Sequence, residues 1–60
     1  MKNKIIENYD KCKKITLVCN KGFEYNMVGY HICGNEVVYH VKNHKLIKTL
    51  LKEKDIKEYY

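Results

Sequence analysis

Six residue types are missing from this 60-residue chain: alanine, arginine, proline, serine, glutamine and tryptophan. Without arginine the chain has no planar guanidinium fork, which argues against bidentate reading of guanine in a DNA groove. Without serine, a close pair of acids on one face or a phosphate-binding glycine loop, the usual constellations for catalysis are absent, and no enzyme is expected. No run of about 18 apolar residues occurs, so no membrane span is expected. The start, Met1-Lys2-Asn3-Lys4, leads into no apolar stretch of signal-peptide length, so no secretory leader is expected. Three cysteines are too few and too scattered for a disulfide framework, and their odd number suits a reducing cytoplasm. No linker, repeat or low-complexity segment is visible, so residues 1–60 read as one small domain.

Lysine, asparagine, isoleucine and tyrosine make up half the chain. These residues have AT-rich codons, which points to a low-G+C genome, bacterial or belonging to a phage or mobile element. Such a genome also places lysine on surfaces for reasons unrelated to binding. Twelve lysines against seven acids give a net charge of +5, and the charge is unevenly placed. Residues 1–14 carry +3, residues 15–41 carry −1 and residues 42–60 carry +3. A neutral middle is flanked by basic ends.

The middle reads as antiparallel sheet. Ile15 to Cys19 is a short β-branched run, and Asn20-Lys21-Gly22 suits a three-residue hairpin loop with glycine at the left-handed position. A second run spans Phe23 to Cys33, Gly34-Asn35 supplies a tight turn, and Glu36 to Lys42 is a third run. The loop pairs Cys19 with Phe23, putting Ile15, Leu17, Phe23, Tyr25 and Met27 on one face. The turn pairs Cys33 with Glu36, grouping Tyr30, Ile32, Val37, Tyr39 and Val41. These sets have opposite parity in the second strand, so one extra residue near Val28-Gly29 is needed to reunite them. A bend or bulge at Gly29 is therefore expected.

Leu46, Ile47, Leu50 and Leu51 have the spacing of a buried helical stripe, with Asn43 as cap and Lys45, Lys48 and Lys52 on the opposite side. Asp55 with Glu58 reads as a second capping box where that helix kinks or restarts. Ile5, Ile6 and Tyr9 fall on one face of a short N-terminal helix. The expected fold is α+β: a bent three-stranded antiparallel sheet (four-stranded if broken at Gly29), then a C-terminal helix covering one face.

The expected nucleic-acid contact is that basic helix, with Lys42, Lys45, Lys48 and Lys52, joined by Lys13 and Lys14. Lysine meets phosphate as a point charge, so binding would be salt-dependent and sequence-tolerant. The plain alternative is a solvated face in a lysine-biased proteome. Tyr25, Tyr30 and Tyr39 are expected in the core, and Tyr59 and Tyr60 in an exposed tail or oligomer contact. Cys12, Cys19, His31, Cys33, His40 and His44 are enough donors in number for zinc, but their spacing matches no zinc motif, so neither metal nor cofactor is expected. His31 and His40 would be diagonal neighbours about 7 Å apart on the open face, beside Cys33.

The stretch Gly29-Tyr30-His31-Ile32-Cys33-Gly34-Asn35 resembles Sm-like RNA-binding proteins in the spacing of its glycine, aromatic and asparagine positions. His31 stands where that pattern has aspartate, the segment from Gly22 to Gly29 is short, and no second Sm motif follows. The resemblance covers about a quarter of the chain. The order of strands and then helix is also similar to the dimeric single-stranded-DNA-binding coactivators. The expectation is a non-enzymatic, cytoplasmic nucleic-acid-binding protein that forms a homodimer or higher homo-oligomer through its open sheet edges. The rival is a module that binds or inhibits a host protein, of anti-defence type, through an edge strand or an open face carrying Val18, His31, Val38 and His40.

Overall fold

A computed structural model describes residues 2–60, with side chains from Lys4 onward. The chain opens with α1 (Lys2–Cys12), continues through β1 (Thr16–Cys19), β2 (Glu24–Cys33), β3 (Glu36–Lys42) and β4 (Lys48–Lys52), and makes a 3-10 turn at Glu53–Asp55. It ends in β5 (Ile56–Tyr59). All five strands form one sheet in the order β4-β3-β2-β1-β5, with every pair antiparallel.

In α1 the i, i+1, i+4 spacing of Ile5, Ile6 and Tyr9 faces the sheet, and Ile5 is wholly buried. Lys13, at φ 55°, leaves the helix in the left-handed region and releases the chain into β1.

The two hairpins follow from their turn residues. Gly22, at φ 89°, closes the β1–β2 loop, where the Cys19 amide donates to the Phe23 carbonyl (2.9 Å). Gly34, at φ 63°, turns β2 into β3 with Cys33 opposite Glu36. Met27 faces Val41 and Gly29 faces His40, so Val28 is the extra residue of a β-bulge. Leu17 and Met27 thereby share the inner face with Val37, Tyr39 and Val41.

The C-terminal third departs from the sequence expectation: no helix forms there, and the sheet has five strands instead of three or four. Of the supposed stripe only Leu51 is buried, while Leu46 is 73% exposed. Thr49 and Leu51 lie opposite Val41 and Tyr39 on the inner face, leaving Lys48, Leu50 and Lys52 outside. The cause is non-local. A bare β3 edge leaves backbone donors and acceptors unpaired, and β4 satisfies them, whereas a single short helix is marginal by itself. Asn43 does cap, but it caps a turn. Its side-chain oxygen accepts from the amides of Lys45 (2.8 Å) and Ile47 (3.0 Å), and Leu46 at φ 64° folds the chain back.

Asp55 likewise restarts no helix. Its carboxylate accepts from the Lys52 amide (3.0 Å) at the 3-10 turn, and Ile56 then enters β5 as a buried residue. Tyr59 and Tyr60 are not a tail. Tyr59 lies opposite Leu17, and Tyr60 exchanges two backbone bonds with Thr16 (2.7 and 2.9 Å). The helix-after-sheet order shared with the single-stranded-DNA-binding coactivators is absent. The free edges are β4 and β5, not β1 and β3.

Candidate nucleic-acid interface

Strand alternation and the bulge fix which side chains share the outer face of the sheet. One row crosses β4, β3, β2 and β1 at the level of Thr16 and ends on Tyr60, just past β5. Tyr60 pairs with Thr16, Thr16 with Asn26, Asn26 with Lys42, and Lys42 with Lys48. The next row is Gly29, His40 and Leu50, and the one after it is His31, Val38 and Lys52. A diagonal ion pair between Lys52 and Glu36 (3.3 Å) lies on the same face.

The lysines expected to bind phosphate therefore share a strand and a hairpin, not a helix. Lys42 and Lys48 stand directly opposite each other at the end of the β3–β4 ladder, and Lys45 lies exposed in the connecting loop. Like charges placed opposite each other repel, so an anion between them relieves the repulsion. Among the described residues, the ion pairs are Lys11–Glu7, Lys13–Asp10 and Lys52–Glu36. Lys42, Lys45 and Lys48 belong to none of them. Lys13 is held at the helix end by Asp10 (3.8 Å) and sits over the Tyr9 ring (4.9 Å), and exposed Lys14 follows it. These two lie outside the β3–β4 hairpin.

Beside the basic row a groove of about 580 Å³ runs between the β1–β2 hairpin and the β3–β4 loop. Phe23, Tyr25 and Ile47 supply its apolar wall, and Asn26, His44 and Lys45 are among its polar groups. Parity assigns Phe23 to the core, but the inner layer runs out beside the Gly22 turn and the ring is 60% exposed. Its position next to the turn glycine was the available signal for that exposure. Glu24, also in the groove, accepts a hydrogen bond from the Tyr60 hydroxyl (2.6 Å).

The four residues expected to meet a protein partner divide sharply. Val18 and Val38 are buried, at 6% and 8% exposure. His31 and His40 remain accessible, with His31 Nδ1 2.6 Å from His40 Nε2. Burial, followed by the charges of Lys48 and His31, holds the His40 imidazole below its ordinary value. Among the described residues no three His, Cys, Asp or Glu side chains gather as metal donors. Cys12, Cys19 and Cys33 are free thiols.

Tyr39 anchors the opposite face. It is fully buried, and its hydroxyl donates to Glu53 (3.0 Å), tying β3 to the 3-10 turn. No helix among the described residues is long and apolar enough to cross a membrane. No family model, curated protein or solved structure matches the chain.

Proposed function

We propose that this chain is a small non-enzymatic nucleic-acid-binding protein, using Lys42, Lys45 and Lys48 to meet phosphates without reading sequence. The observation that carries this reading is the Lys42–Lys48 pair, two cations on an outer-face row that holds no acid. The adjacent groove, with exposed Phe23 and half-buried Tyr25, offers π-faces beside that charge, a combination suited to single strands.

Self-association accompanies this reading. β4 and β5 present open edges, and Leu46, Ile47 and Leu50 lie exposed on or beside β4. A cytoplasmic setting suits the free thiols. The rival, capture of a host protein, has less to stand on, because Val18 and Val38 offer little surface.

The test is a titration of labelled single-stranded and duplex oligonucleotides of mixed sequence at several salt concentrations. Affinity should fall linearly with salt on a log–log plot, with a slope near −0.7 to −0.9 per phosphate contacted. No binding at about 50 mM salt would overturn the reading. Scattering mass measured alongside reports the oligomeric state.

A further inference from the structure

The bulge at Val28 places His31 on the same face as His40, and Gly29, directly opposite His40, has no side chain to stand between them. The His40 ring reaches across that gap until its Nε2 lies 2.6 Å from His31 Nδ1, with the two rings at 70°. Two neutral imidazoles at this distance share one N–H···N bond. If that hydrogen moves to the far nitrogen of its own ring, both facing nitrogens present lone pairs to the space between the rings. We propose that His31 and His40 form a two-histidine chelate for a borderline divalent transition ion, of the Ni²⁺ or Cu²⁺ type, on the outer face of the β2–β3 hairpin.

Metal–imidazole bonds are about 2.0–2.1 Å long. For two such bonds at a right angle, as in square-planar or octahedral Cu²⁺ and Ni²⁺, the nitrogens stand about 2.9 Å apart. Because the two nitrogens lie close to the line between ring centroids 4.8 Å apart, the rings must turn off that line as well as separate, by about 0.3 Å for a right-angle ion and about 0.8 Å for a tetrahedral one. Side-chain rotation on an accessible surface supplies the smaller change easily. The hard ions Mg²⁺ and Ca²⁺ prefer oxygen donors and do not suit the pair.

Several groups face the pair. Lys48 from β4 opposes a cation, Lys52 is turned toward Glu36, and Cys33 lies two residues beyond His31 on the same face. The environment that disfavours imidazolium at His40 also keeps its lone pair available at neutral pH. With two protein donors the ion retains water-filled positions, so it exchanges and is not needed for folding. This site stands independently of nucleic-acid binding.

The experiment is a calorimetric Ni²⁺ titration at pH 7.5 in a Cys12→Ser/Cys33→Ser background, since exposed thiols compete for the same ions. One ion should bind per chain. His31→Gln or His40→Gln should each weaken binding at least about tenfold, while His44→Gln leaves it unchanged. Lys48→Gln should tighten binding, an outcome that loss of structure cannot produce. Histidine ring resonances of the parent provide a measurement that needs no variant: His31 and His40 should broaden on adding Ni²⁺, and His44 should not. No saturation by about 1 mM ion, or parental affinity retained in either the His31→Gln or the His40→Gln variant, would overturn the assignment.

Discussion

Lys42 and Lys48 face each other across the β3–β4 ladder, two like charges whose row continues through Asn26 and Thr16 without meeting an acid. Removing either lysine should therefore weaken nucleic-acid binding without harming the fold. We expect Lys42→Gln and Lys48→Gln to reduce the salt slope by about one unit each, measured by fluorescence anisotropy. Lys52→Gln, whose ammonium is turned toward Glu36, should change it less. Thermal unfolding of the double variant should show equal or slightly higher stability, because a repulsion is removed.

Tyr39 joins the core to the 3-10 turn, and two substitutions separate its roles. Tyr39→Phe keeps the ring and should cost about 0.5–1.5 kcal/mol for the lost bond to Glu53. Tyr39→Ala should cost about 3–5 kcal/mol. Stability is about 0.05–0.15 kcal/mol per residue, so the alanine variant should be largely unfolded in urea titrations that leave the phenylalanine variant native.

Burial first, then the hydrogen bond and charge of Glu53, holds the Tyr39 phenol far above its ordinary value of 10.0. The folded state thus keeps a proton that the unfolded chain releases. This contribution is complete below pH 10 and is lost as pH rises above it. An absorbance titration should show one tyrosine ionising together with unfolding, and Tyr39→Phe should abolish that late step.

His40 has the opposite sign. Its folded value lies below 6.5, so the unfolded chain takes up the proton first as pH falls. Stability should be level above pH 6.5, decline as pH drops through that value, and flatten once folded His40 is also charged. Melting temperatures of His40→Gln should lack this component of the decline. An unchanged profile would mean that another group is responsible.

Leu46 occupies the left-handed region at φ 64° while its side chain contributes almost nothing to burial. Asparagine tolerates that backbone, so Leu46→Asn should raise stability by about 0.5–1 kcal/mol. Leu46→Val, β-branched at the same angle, should lower it by about 1 kcal/mol or more. Urea midpoints for the two should move in opposite directions.

The hairpins were legible because their determinants are local. Gly22 and Gly34-Asn35 specify the turns, and the parity conflict between Met27 and Tyr30 requires one extra residue between them. The C-terminal region was not legible for the same reason inverted. Leu46, Ile47, Leu50 and Leu51 suit a helical stripe, while Thr49 and Leu51 also suit a strand's inner face, and the bare edge of β3 decides between the two. The lysines at 42, 45 and 48 were recognisable by type, but their facing arrangement depends on that choice. His31 and His40 were visible as diagonal neighbours. Their contact arises because the chain offers no side chain at Gly29.

The bulge at Val28 works as a phase shift in a pattern of period two. Were that residue deleted, every later position of β2 would exchange sides: His31 and Cys33 would turn to the inner side, and Tyr30 would lose its packing against the core. The side chain at 28 is itself substantially exposed, so its chemical identity matters little to the core. What the fold requires there is a count, not a kind. Relatives of this chain are free to vary at position 28, but those that keep both hairpins and the same inner layer cannot do without a residue in that place.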